Sequence, residues 1–250
     1  VSIARFGSTP ILSLFRLLFQ AAPIMLLSVR YRFLFVHIAK TGGTSVRHAL
    51  ARVRWRDPWY PFQYLCSRFS HWSGHRIGAK LPRHARIVAA HELLPQPFFQ
   101  SLFKFAFVRN PWDLQVSSYH HLRRERPHLV AGHRDFKGFM RWKLNPERPY
   151  QFHIDTSIQP QMDYLVGLDG TLLVDFVGRY ENLEADYRTI GRRIGFRRIP
   201  RLPHRRRARD RGEDFRAYYD DATAEAVGRH FQRDIDGFGY RFEPIAWDAG

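Results

Sequence analysis

Apolar residues along this chain collect into short continuous runs, separated by segments in which they recur three or four positions apart. Residues 33–38, Phe-Leu-Phe-Val-His-Ile, are nearly all apolar and β-forming, the pattern of a strand buried on both faces in a parallel sheet. Residues 86–90, 103–109 and 172–179 read as further strands. Helical spacing follows the first run through Val46, Leu50 and Val53, and returns in residues 112–126, entered through Asn110 as N-cap and Pro111 at the first helical position. Leu183, Tyr187, Ile190 and Ile194, closed by Gly195, predict a helix over 181–194. Shorter helices are expected at 135–144 and 159–166, and the chain should end on a helix over 222–235 and a closing strand at 238–242. The alternation predicts the α/β class, a three-layer fold with a central parallel sheet flanked by helices.

Composition narrows the picture. With 250 residues, 44% of them hydrophobic, the chain can bury one sizeable core. We expect an N-terminal extension at 1–24, one domain over 25–243, and a tail at 244–250. The net charge of +17 favours anionic ligands without choosing among nucleotide, glycan, nucleic acid or lipid headgroup. A single cysteine, Cys66, rules out an internal disulfide and fits a cytoplasmic location. Residues 10–29 are apolar enough to raise a membrane anchor, but Arg16, Gln20 and Pro23 interrupt them, which favours peripheral membrane contact over a spanning helix. Residues 55–84 read as irregular aromatic loops; His71 and His75 there lack partnering carboxylates or cysteines, so no metal is expected. Residues 197–216 carry nine arginines and read either as a solvated loop or as a lid or track for an anion.

Chemistry concentrates where the first strand meets the first helix. Lys40, Thr41, Gly42, Gly43, Thr44 and Ser45 place a cation, three hydroxyls and two glycines at a helix start, an arrangement that holds phosphate: glycines admit the anion and unpaired helix N–H groups point at it. The nucleotide triphosphatase loop carries its lysine after the glycines, and here Lys40 precedes them. His91, with Glu92 in reserve, follows the expected second strand, where ligands of open α/β sheets bind and where an imidazole could take a proton. Arg109 ends the third run at a helix entrance.

The string His-Ile-Ala-Lys-Thr-Gly-Gly-Thr-Ser (37–45) resembles the 5′-phosphosulfate loop of the carbohydrate sulfotransferases, the heparan sulfate 2-O and chondroitin 4-O type with many bacterial relatives; Ala39 stands where that family usually has proline. Phe-Val-Arg-Asn-Pro-Trp-Asp-Leu-Gln-Val-Ser-Ser-Tyr (107–119) is similar to its 3′-phosphate motif. The resemblance implies 3′-phosphoadenosine 5′-phosphosulfate as sulfuryl donor, held by residues 40–45 with Arg109 and Ser117. It also implies Lys40 at the leaving oxygen and His91 as base on the hydroxyl of a glycan or glycolipid acceptor, with no metal and no nucleic-acid partner. A nucleotide kinase would use the same architecture with ATP and magnesium. A basic nucleic-acid-binding protein would explain the charge but has no use for two anion motifs.

Overall fold

The computed structural model describes residues 25–50, 53, 56–57, 81, 83–203 and 214–243. Four strands form one sheet in the order β1 (Leu26–Ser28), β2 (Phe33–Val36), β3 (Phe103–Val108), β4 (Phe176–Arg179). β2, β3 and β4 are parallel, with Phe33 beside Phe103 and Val108 beside Arg179, and β1 pairs antiparallel to β2 at the edge. The helices, in chain order, are α1 (Gly43–Ala49), α2 (Ile87–Leu93), α3 (Gln96–Ser101), α4 (Pro111–Glu125), α5 (Phe136–Lys143), α6 (Phe152–Asp155), α7 (Leu183–Arg193), α8 (Asp221–His230) and α9 (Gln232–Phe238).

Alternation along the central strands divides the core. Phe33, Phe35, Phe105 and Phe107 face Val46 of α1, Leu50 at its C-cap, and Tyr187 and Ile190 of α7. Leu34, Val36, Ala106 and Val108 face the opposite layer, with Ile87 and Ala90 of α2 and Phe99 of α3. Side chains of successive strand residues point to opposite faces, so a run apolar at every position must be covered on both. All four residues of β2 are fully buried, and each phenylalanine contributes on the order of 1.5–3 kcal/mol by leaving water. A third cluster lies around α4, where Trp112, Val116, Tyr119 and Leu122 meet Phe136 and Phe139 of α5 and Val227 of α8.

The expected elements at 112–126, 135–144 and 181–194 are found within one or two residues of those limits, and Asn110 and Asp135 cap their helices with side-chain oxygens. Four expectations are corrected. Residues 87–93 are helix α2 rather than a strand, because Ile87 and Ala90, three apart, both turn into the core while Glu92 stays outside. The chain after Gly239, whose φ of 64° ends α9, is not a strand, and only the 3-10 turn Met162–Tyr164 forms in the segment expected as a helix at 159–166. The strand expected over 172–179 is confined to β4, after a lone bridge between Val166 and Leu172. Within the segment 10–29, residues 25–28 are buried and residues 26–28 form the edge strand, so they are not a membrane face; residues 1–24 lie outside the described residues, as do His71, His75 and residues 204–213 of the arginine-rich window. No helix among the described residues is long and apolar enough to cross a membrane.

Candidate active site

The loop after β2 turns back sharply. Lys40 at φ 68° and Gly42 at φ 82° both occupy the left-handed region, a conformation that costs a lysine on the order of 1–3 kcal/mol and is found at ligand sites. Thr41 is fully buried and its hydroxyl donates to the Ile38 carbonyl at 3.0 Å, closing the turn. The two glycines answer different demands. Gly42 needs the positive φ, and Gly43 needs the space: a Cβ there would lie 2.0 Å from the His37 ring. Ser45 is buried and Thr44 exposed. The first turn of α1 holds no acidic residue and no side-chain cap, so nothing of its own competes for an anion at that helix start.

Arg109 joins this loop to the second motif. Its Nη1 donates to the Lys40 carbonyl at 3.0 Å and its Nε to Asp113 Oδ2 at 2.6 Å, while the guanidinium lies 3.9 Å from the centre of the Tyr180 ring. The residue is 3% exposed. Burial holds its pKa below the ordinary arginine value, with the phenol of Tyr180 and the carboxylate of Glu181 acting the other way, and arginine stays charged under both. The backbone of Arg109 is held just as closely: Gln161 Oε1 accepts from its N–H at 2.9 Å and Gln161 Nε2 donates to its carbonyl at 2.8 Å. Gln161 in turn is bonded to buried Asp234. Asp113 and half-buried Ser117 are four apart on α4 and share a face, so the Ser117 hydroxyl lies on the side from which Asp113 meets the guanidinium. These bonds leave further guanidinium N–H groups for a ligand, and with the acid-free helix start and the glycine cradle the residues present fit a nucleotide bearing phosphates at both ends.

The histidines are distributed differently from the sequence expectation. His91 sits in the last turn of α2, where Nδ1 is 2.7 Å from Glu92 Oε1 and the ring stands edge-on to Phe99, 5.1 Å between centres. Phe99 also lies 5.2 Å from the Lys104 ammonium at the start of β3, so His91 faces the amino end of the sheet. At the carboxyl end stands His84 instead. Its Nδ1 is 2.7 Å from the His37 carbonyl and its ring is 4.6 Å from that of His37. A carbonyl only accepts, so Nδ1 carries the hydrogen and Nε2 keeps its lone pair. Burial lowers the His84 pKa, with Arg83 and Arg47 adding to the effect; His37 is lowered further, chiefly by burial and then by His84. Both rings are neutral at neutral pH.

The fold brings together Lys40, the loop and Arg109, which the sequence singled out, and places beside them His84, Gln161 and Tyr180, which it did not. Asp113, four residues after Arg109, was the one legible partner. Among the described residues no group of three or more His, Cys, Asp or Glu could hold a metal ion. A family model described as "Sulfotransferase family" matches residues 25–241. Neither the curated proteins nor the solved structures gave a match.

Proposed function

The chain belongs to the sulfotransferase family, and from that premise we propose that it moves a sulfuryl group from 3′-phosphoadenosine 5′-phosphosulfate to a hydroxyl of a carbohydrate-like acceptor, a glycan or glycolipid, by in-line displacement. The observation that carries this reading is the bond from Arg109 to the Lys40 carbonyl, which ties the phosphosulfate loop to the arginine expected at the 3′-phosphate. The donor supplies the sulfuryl group. Residues 40–45 hold its 5′ end through glycine-exposed N–H groups and hydroxyls, and the Lys40 ammonium stabilises charge on the leaving oxygen. Arg109 and Ser117 hold the 3′-phosphate and so select this donor over ATP.

His84 is the group we assign to the acceptor proton. Its ring is oriented by the His37 carbonyl and presents an unprotonated Nε2 beside the loop. His91, which the resemblance offered for the role, loses the support of a strand end and faces the other edge of the sheet. Residues 10–24 remain the segment for peripheral membrane contact, which would suit a lipid-linked acceptor. Calorimetric titration tests the donor assignment with 3′-phosphoadenosine 5′-phosphate against ATP with magnesium. The expected result is metal-independent preference for the former, weakened in Arg109→Lys; preference for ATP, or indifference to Arg109, overturns it.

A further inference from the structure

A cavity of about 590 Å³ opens between α4, α5 and the 3-10 turn Phe215–Tyr218, and its lining includes Tyr119, Arg123, His133, Arg134, Lys137 and Tyr218. Its size falls in the range of small-molecule sites, roughly 300–1,000 Å³. It is separate from the donor loop in orientation. At 100° per residue, Tyr119 and Arg123 lie about 200–240° around α4 from Ser117, on the far side of the helix.

The walls are aromatic and held in place. Tyr119 meets Phe136 edge-on at 5.4 Å, Phe136 meets Tyr218 at 5.6 Å, and the Tyr218 hydroxyl is 2.8 Å from His120 Nε2. The rim is cationic. Arg123 and Arg134 are both exposed and form no ion pair among the described residues, and Lys137 has only a distant carboxylate, Asp220 at 3.7 Å. The single carboxylate in the lining, Asp135, is engaged as the cap of α5, accepting from Gly138 N–H at 2.8 Å. The Arg123 guanidinium lies over the Tyr119 ring, 5.6 Å from its centre, so the cavity offers the half-buried Tyr218 ring beside guanidinium groups that have no carboxylate partner among the described residues. A bare phosphate or sulfate leaves most of this volume empty, and an acyl chain has no use for the rim. A sugar ring bearing a carboxylate or sulfate matches both, with a C–H face for Tyr218 and an anion for the paired N–H groups of arginine.

We propose that this cavity is a second ligand site that takes an acidic sugar unit. Its role in the reaction rests on the sulfotransferase reading: the sugar held here is a unit of an anionic glycan acceptor remote from the hydroxyl that is sulfated.

The test is fluorescence anisotropy with a labelled heparin-derived hexasaccharide at fixed salt, on the full chain, Arg123→Ala/Arg134→Ala, and the control Arg229→Ala/Arg233→Ala. The control removes the same formal charge from α8 and α9, outside the cavity lining, since both variants fall from +17 to +15. We expect a loss of about tenfold or more in the cavity variant, less than about threefold in the control, and no binding of neutral maltohexaose. Equal losses in the two variants, no loss in either, or an equal response to a single-stranded oligonucleotide overturns the proposal. Titration with 3′-phosphoadenosine 5′-phosphate on the same samples keeps the two readings apart. The cavity variant should bind it as the parent does; failure of the parent to bind it counts against the donor assignment alone and leaves the saccharide comparison to decide this one.

Discussion

The two edges of the central sheet treat charge in opposite ways. At the amino edge, Lys104 is closed within the fold: its ammonium is 2.8 Å from both Asp175 and the Leu102 carbonyl and lies over Phe99, and His91 is bonded to its own neighbour Glu92. At the carboxyl edge, the loop backbone is strained, Arg109 reaches Lys40 with N–H groups to spare, and His84 keeps an open nitrogen. Strands that run parallel gather loop ends at one edge, where helix starts concentrate positive potential. A cation at the other edge has only fold partners, so its presence there is structural.

Removing the base should separate the edges most widely. We expect His84→Ala to lower kcat by about 10²–10⁴-fold with little change in donor affinity, and His91→Ala to leave both within about threefold. Reversal of that order in steady-state assays would return the base to His91. The pH profile sharpens the same contrast. The His84 pKa is lowered from 6.5 and the ring must be neutral to accept a proton, so activity is present above that lowered pKa and is lost as pH falls through it. The acid limb of kcat/KM should lie below pH 6.5 and vanish in His84→Ala.

Next in size is Arg109→Lys. A lysine loses the paired geometry, the reach to both Asp113 and Lys40, and the stacking on Tyr180, and we expect 3′-phosphoadenosine 5′-phosphate to bind about 10–100-fold more weakly by calorimetry. Gly43→Ala should follow, because its Cβ meets the buried His37 ring: a loss of about 1–3 kcal/mol in thermal unfolding, with weakened nucleotide binding. The smallest effect belongs to the amino edge. Lys104→Met leaves behind Asp175, whose side chain is 44% exposed, and should cost about 1 kcal/mol or less with nucleotide affinity unchanged. A tenfold loss of nucleotide affinity there would show that the edges are not independent.

Local pattern carried much of this. The run Phe33–Val36 is buried on both faces as its unbroken apolarity requires, Asn110 and Pro111 start α4 where cap chemistry says, and Lys40 to Ser45 carry the residue types expected of a phosphate loop. These features are decided by neighbours in the chain: period, cap and turn preference act within a few residues. The misreading at 86–90 was of the same kind, since a five-residue apolar run fits strand and helix equally and only the layer it packs against chooses between them. What the tertiary structure alone decided is which distant groups meet. Gln161 grips both backbone groups of Arg109 across 52 residues, and His84 finds the His37 carbonyl across 47. No spacing in the sequence encodes those meetings, because they follow from how the parallel strands stack and where the loops between them return. The sequence determined the family, the class of fold and the two motifs proposed to hold the donor; the packing of the sheet determined which histidine stands beside them.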